Sequence, residues 1–172
     1  MGAATASGDR SVATGFASQA TQQNATATGN AAQATGASAS AYGDNARATA
    51  TNATSIGKDA QASGENATAL GRGTVADKVN ATATGNTAQA TGTSASAYGD
   101  NARATATNAT SIGKDAQASG ENATALGRGT VADKLNATAT GNTAQATGTS
   151  ASAYGDNARA TATNATSIGK DA

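Results

Sequence analysis

A seven-residue glycine grid constrains this chain more than any other feature. Eighteen of the 21 glycines lie on positions seven residues apart, between Gly8 and Gly169. Most segments between grid points follow one template: two polar residues, an alanine, a variable residue, a second alanine, another variable residue and the grid glycine. Residues 65–71, Glu-Asn-Ala-Thr-Ala-Leu-Gly, are an example. A period held over the whole chain indicates a repeat architecture.

This period does not fit a coiled coil. The small residues occupy the third and fifth positions of each heptad, whereas a helical seam needs spacings of three and four. A glycine costs about 1 kcal/mol inside a helix, and Thr, Ser and Asn are poor residues for a helix interior. The alternation within each heptad is typical of a strand, and glycine provides a corner. We therefore predict one very short strand and one corner per heptad.

Neighbouring heptads differ in a regular way, and we predict that each pair of them forms one coil. Larger side chains such as Tyr42, Ile56 and Leu70 occupy the sixth position of alternate heptads, so they recur once every two heptads. The intervening heptads carry Gln or Arg at the fourth position, and alanine pairs such as Ala46 and Ala48 point between the two strands. The pattern predicts an all-β solenoid with about 14 residues per coil. Two parallel sheets would enclose an alanine interior.

A longer repeat, eight heptads in length, begins near Asn24, Asn80 and Asn136, and the segments 80–116 and 136–172 are identical. We predict that residues 1–172 form a single repetitive segment of about twelve coils. The sequence ends part-way through a repeat, so we expect it to be a piece of a longer protein. The heptad 72–78 lacks the terminal glycine and carries Gly73 early. We expect a bulged or differently turned coil there.

The composition excludes several classes of protein. Only 15 side chains are Val, Ile, Leu, Met, Phe or Tyr, too few to offset chain entropy through an ordinary core. Without Cys or His, the chain has no disulfide, no thiolate ligand and no imidazole base. Its 11 basic and 11 acidic residues argue against a nucleic-acid partner. We predict no enzyme activity, no catalytic residue, no metal and no cofactor.

The larger apolar side chains would form a ladder on one outer face. A soluble monomer does not readily leave such a ladder in water, and packing against copies of itself around an axis would bury it. The predicted interface residues are Val12, Tyr42, Ile56, Leu70, Tyr98, Ile112, Leu126, Tyr154 and Ile168.

The opposite face is polar and is the candidate ligand face. This face has two interpretations. It is either a repetitive binding surface or a solvated face with weak cross-coil ion pairs along the neighbouring corner column Asp44, Lys58 and Arg72. The candidate ligand-face residues are Gln33, Arg47, Gln61, Gln89, Arg103 and Gln117.

Eight Asn-x-Thr sequons share one position of the heptad. Glycosylation is one interpretation. A fixed corner, where asparagine caps a turn and stacks in a ladder, is the one we favour. The sequon asparagines are Asn24, Asn52, Asn66, Asn80, Asn108, Asn122, Asn136 and Asn164.

Residues 52–57 (Asn-Ala-Thr-Ser-Ile-Gly), 66–71 and 11–15 resemble the Asn-Ser-Val-Ala-Ile-Gly pattern of YadA-like head domains in trimeric autotransporter adhesins. The resemblance extends over about residues 3–172. It implies a left-handed parallel β-roll, three chains side by side, and the motif's Val and Ile facing the trimer axis. Thr replaces the motif Val at four positions, Thr26, Thr54, Thr68 and Thr82, which implies a more hydrated trimer core than the family pattern has.

The resemblance further implies a place on the Gram-negative cell surface, with outer-membrane attachment through a C-terminal anchor that is not visible in this sequence. The predicted function is adhesion to host matrix proteins, surfaces or other cells, with a role in virulence, or service as a rigid spacer in the head. The alternative is a monomeric threonine-rich solenoid of the ice-binding type, since Thr26-Ala27-Thr28 and similar triplets recur. Arg, Gln and Tyr interrupt those threonine columns.

Overall fold

The computed structural model describes residues 2–172, and every regular element in that range is a β-strand of two or three residues. The predicted all-β fold with one strand per heptad is confirmed. The chain divides into two compact units, Met1–Thr87 and Ala88–Ala172. Each unit contains twelve strands.

The strands of the first unit alternate between two and three residues in length. They are β1 (Thr5–Ala6), β2 (Val12–Thr14), β3 (Gln19–Ala20), β4 (Thr26–Thr28), β5 (Gln33–Ala34), β6 (Ser40–Tyr42), β7 (Arg47–Ala48), β8 (Thr54–Ile56), β9 (Gln61–Ala62), β10 (Thr68–Leu70), β11 (Val75–Ala76) and β12 (Thr82–Thr84).

The second unit repeats the same alternation. Its strands are β13 (Gln89–Ala90), β14 (Ser96–Tyr98), β15 (Arg103–Ala104), β16 (Thr110–Ile112), β17 (Gln117–Ala118), β18 (Thr124–Leu126), β19 (Val131–Ala132), β20 (Thr138–Thr140), β21 (Gln145–Ala146), β22 (Ser152–Tyr154), β23 (Arg159–Ala160) and β24 (Thr166–Ile168).

Two parallel sheets build each unit. Odd-numbered strands form one sheet and even-numbered strands form the other, and each strand pairs with the strand one coil further along. In the first unit Thr54 pairs with Thr68, and in the second unit Thr110 pairs with Thr124. This offset of two heptads confirms the predicted solenoid, with six turns per unit. Its handedness stays a prediction.

Alanine fills the space between the two sheets, as predicted. The third and fifth residues of the heptads point inward, and Ala67 and Ala69 are fully buried. Because alanine buries little apolar area, backbone hydrogen bonds between coils carry much of the cohesion, for example from the Thr54 N–H to the Ala67 carbonyl at 2.8 Å. Serine replaces an inward alanine at several positions. Ser55 Oγ donates to the Ala60 carbonyl at 2.8 Å, whereas the buried hydroxyls of Ser11 and Ser167 have no hydrogen-bond partner.

The backbone conformation at the corners explains which residue types occupy the second position of the heptad. The residue there adopts a left-handed conformation in nearly every coil, with φ of 58° at Asn52 and 57° at Asp59. Asn and Asp tolerate this region better than other non-glycine residues. Gly73 occupies the same position with φ of 62°, and the following strand β11 pairs with β9 in the ordinary register. The expected bulge at residues 72–78 was wrong, because the early glycine fits the common corner.

Candidate functional site

The apolar ladder of the first unit lies on the outer face of the even-numbered sheet. Tyr42 pairs with Ile56, and Ile56 pairs with Leu70, so the three side chains lie in one column. They are 40%, 39% and 42% exposed, respectively. The inward residues of the same strands, Ala41, Ser55 and Ala69, are fully buried, whereas the outward residues are left without cover in a single chain. Thr28 and Thr84 flank the column in register.

The second unit carries the equivalent ladder. Tyr98 pairs with Ile112, Ile112 with Leu126, and Tyr154 with Ile168. Thr140 lies between Leu126 and Tyr154 in the column. Eight of the nine predicted interface residues therefore occupy the same position, the third residue of an even-numbered strand, each within its own unit.

Val12 is the exception. It pairs with Thr26, whereas Thr14 pairs with Thr28, so Val12 lies in the neighbouring column of the same sheet. Val12 is 51% exposed. The neighbouring column consists mainly of threonine and serine, at the position where the family pattern has Val. The family resemblance places the motif's Val as well as its Ile toward the trimer axis, so the assignment of Val12 to the interface stays a prediction.

The polar column lies on the outer face of the odd-numbered sheet. In the first unit Gln33 pairs with Arg47, and Arg47 pairs with Gln61. In the second unit Gln89, Arg103 and Gln117 repeat this order. The column continues to Val75 in the first unit and to Val131 in the second. These apolar members were not predicted, although their fourth position in the heptad places them there. Each predicted ligand-face residue lies in this column of its own unit.

A corner beside the ladder carries hydrogen-bonded charges. Asn30 Nδ2 donates to Asp44 Oδ1 at 2.8 Å, and Lys58 Nζ lies 3.4 Å from Asp44 Oδ2. These contacts lower the pKa of the Asp44 carboxyl from its ordinary value of 3.8, the Asn30 hydrogen bond contributing most and Lys58 next. The groups are exposed, so the ion pair contributes little to stability. The predicted cross-coil ion pair between Asp44 and Lys58 is confirmed.

The opposite corner carries the sequon asparagines. Asn52 Nδ2 donates to Asn66 Oδ1 at 3.1 Å, and Asn66 Nδ2 donates to Asn80 Oδ1 at 3.3 Å. The second unit has the same ladder from Asn108 through Asn122 to Asn136. This confirms the predicted stacking of asparagines at a fixed corner. At the corner beside the ladder, a further bond from Asn45 Nδ2 to Asp59 Oδ1 at 2.9 Å was not predicted, although its two-heptad spacing is visible in the sequence.

Residues 2–172 offer surfaces and no enclosed site. Within this range no pocket is found, and no three residues among His, Cys, Asp and Glu are grouped as metal ligands require. None of the described residues belongs to a helix with the length and hydropathy that crossing a membrane demands. The candidate functional surfaces of the described residues are therefore the two outward faces and the corners.

Comparison with known proteins identifies the repeat. The family model for the YadA head domain repeat (2 copies) matches residues 2–18, 20–46, 48–74, 76–102, 104–130, 132–158 and 146–172. The chain belongs to the YadA head domain repeat family. The resemblance noted in the sequence is thus confirmed, and the protein is an adhesin-type head segment, a structural and adhesive kind of protein.

Among solved structures, the crystal structure of the collagen-binding domain of the Yersinia adhesin YadA is similar. It is 22% identical, with 96% of this chain and 69% of that chain covered, at a TM-score of 0.36. No curated protein matches the chain.

Proposed function

We propose that this YadA-type head segment works as a left-handed homotrimer on the bacterial cell surface, where it holds a repeated polar face outward for adhesion. The Tyr/Ile/Leu ladder would face the trimer axis, and the Gln/Arg column would face the surroundings. Family membership supports the adhesive role. The exposed ladder is the single observation that carries the trimer.

The ladder argues for a partner that extends along each unit. Every coil between Tyr42 and Leu70 presents an apolar side chain about 40% exposed. Since exposed contiguous apolar surface favours association, a partner with the same coil spacing would cover it most completely. Another copy of this chain has that spacing. The chain also has a net charge of +0, so copies are not driven apart by net charge.

Adhesion would come from many weak contacts. The polar column offers Gln and Arg side chains at every coil from Gln33 to Gln61, and three chains would multiply these contacts. Linked weak sites gain avidity without any strong individual contact. The ligands we propose are extracellular matrix proteins, other cells or abiotic surfaces, and the same segment would serve as a spacer where it meets none of them.

The trimer is tested by absolute mass from light scattering behind a sizing column. Three chains of 16.2 kDa give about 48.6 kDa. Changing Ile56, Ile112 and Ile168 together to Asp should abolish the trimer, because each buried carboxylate would lack a partner. The matched control changes Gln61, Gln89 and Gln117 to Asp, which adds the same charge to the other face and should leave the mass unchanged. A wild-type mass of 16.2 kDa, or an unchanged trimer in the Ile variant, would refute the proposed facing.

The ligand face is tested separately by adhesion to matrix-coated surfaces. Changing the six Gln and Arg residues of the polar column to Ala should reduce adhesion while the trimer mass persists. Undiminished adhesion of that variant would place binding elsewhere, and a wild-type trimer that does not adhere would make the segment a spacer.

A further inference from the structure

The order of residues along the ladder is regular, and the need to bury apolar area does not by itself explain that order. In the first unit the column reads Thr14, Thr28, Tyr42, Ile56, Leu70 and Thr84. In the second unit Thr140 again follows Leu126 and precedes Tyr154. From Thr28 onward, a threonine therefore recurs in the column once every four coils. A column that only needed to bury apolar area would have no use for a hydroxyl at these positions.

The neighbouring threonine column cannot supply the same information. It carries Thr54, Thr68 and Thr82 on three successive coils, so a shift of one coil leaves threonine opposite threonine. The ladder differs at every coil within its four-coil period. Only the ladder can therefore distinguish a correct alignment of two copies from an alignment shifted by one, two or three coils.

We infer that Thr28, Thr84 and Thr140 set the axial register of the trimer; this inference rests on the proposed homotrimer. In register, each threonine would meet the same threonine of the other two chains around the three-fold axis. A hydroxyl is both donor and acceptor, so three of them can close a ring in which each Oγ1–H donates to the next Oγ1. Every buried hydroxyl is then satisfied.

A shifted alignment loses this arrangement. A slip of one coil in the first unit places Thr84 opposite Leu70, and a slip of two places it opposite Ile56. The hydroxyl is then buried against an aliphatic side chain without a hydrogen-bond partner, which is unfavourable. Polar residues at single core positions fix the register of coiled coils by the same physics. A slip of four coils restores the threonine match and is opposed only by the coils left without partners.

The absence of cysteine from the sequence allows a clean test by disulfide formation. Chains carrying Tyr42→Cys are mixed with chains carrying Leu70→Cys and a mass tag, unfolded together, refolded and oxidised. An in-register trimer brings like cysteines together, while residues 42 and 70 of different chains stay two strand spacings, about 9.6 Å, apart along the axis, too far for a disulfide. A heterotypic product therefore reports a two-coil slip.

The threonines are then varied in this background. With the native threonines we expect homotypic products and almost no heterotypic product. Changing Thr28, Thr84 and Thr140 to Ile should retain the trimer mass and raise the heterotypic product at least about tenfold, since the unsatisfied hydroxyls no longer penalise a slip. Changing the same three to Ser keeps a hydroxyl and should keep the native pattern.

The possible outcomes distinguish the register role of the threonines from the proposed homotrimer. A trimer whose native and Ile forms give the same heterotypic fraction would overturn the register role and leave the trimer standing. A trimer that forms no homotypic product would show that the ladder does not face the axis. A monomer by light scattering would overturn the proposed homotrimer and, with it, this inference.

Discussion

At the scale of single residues, two glycines two positions apart have different roles. Gly71 has φ of 133°, and a Cβ there would overlap the carbonyl oxygen of Gly85 in the next coil. Gly73 has φ of 62°, and its Cβ would lie 3.5 Å from Thr87 Cγ2, an ordinary contact. The first glycine is required by close approach of backbones. The second occupies a left-handed corner that Asn and Asp fill elsewhere.

We expect Gly71→Ala to lower the free energy of unfolding by at least about 2 kcal/mol, because both the backbone angle and the contact are forbidden. Gly73→Asn should stay within about 0.5 kcal/mol of the native chain, since asparagine accepts this conformation and restricts the unfolded chain. Urea titration at a fixed protein concentration measures both. Equal losses of stability in the two variants would mean that steric contact does not distinguish the two positions of this corner.

Residue-level prediction from the sequence succeeded for the interior and was weaker for the corners. The alternation around Ala67 and Ala69 has period two, which fixes the inward side of a strand. Corner conformations depend on φ, and residues as different as Ala31 and Ser38 adopt values of 52° and 56°. Side-chain type does not reveal a left-handed angle imposed by stacking on the next coil. The error at residues 72–78 has this origin.

At the scale of elements, side-chain hydrogen bonds join several corners to the corner one coil further along, in addition to the backbone hydrogen bonds. Asn66 accepts from Asn52 and donates to Asn80, while its own φ is 58°. One residue thus contributes both an inter-coil bond and a tolerated corner. Because these groups are exposed, the bonds are worth less than buried ones.

We expect Asn66→Ala to cost about 1–2 kcal/mol, from two exposed hydrogen bonds and the left-handed angle of an alanine. Asn66→Gly removes the same bonds without the unfavourable angle, so it should cost less than Asn66→Ala. Thermal and urea unfolding of the pair measure the difference. A glycine variant less stable than the alanine variant would show that side-chain bonding and angle do not govern this corner.

Element-level prediction went furthest where spacing alone decides contact. The pairing of Tyr42 with Ile56 follows directly from the two-heptad spacing, and so does the ion pair of Asp44 with Lys58. Val12 lies in the neighbouring column of the same sheet, which the family resemblance also directs toward the trimer axis. Spacing within one chain does not determine whether a column contacts another molecule, so the interface and the ligand face stay predictions.

At the scale of the whole molecule, the two sheets have different outer faces. A deletion or insertion therefore preserves both faces only if its length is a multiple of two heptads. Three-residue strands carry the ladder and two-residue strands carry the polar column. Removing one coil preserves this alternation. Removing one heptad exchanges the faces of everything that follows, as a one-residue shift does in an ordinary strand.

Two deletions in the second unit test this constraint. Deleting residues 114–127 removes one complete coil, and we expect a shorter trimer, since Tyr98, Ile112, Tyr154 and Ile168 stay on one sheet. Deleting residues 114–120 removes half as much sequence, yet it moves Leu126, Tyr154 and Ile168 to the sheet opposite Ile112. The split ladder should lose the trimer mass by light scattering. The mismatched corners should also lower Tm below that of the longer deletion, although fewer residues are missing. A trimer of undiminished stability after the single-heptad deletion would show that the two heptad types are interchangeable, and that assembly does not depend on a continuous apolar face.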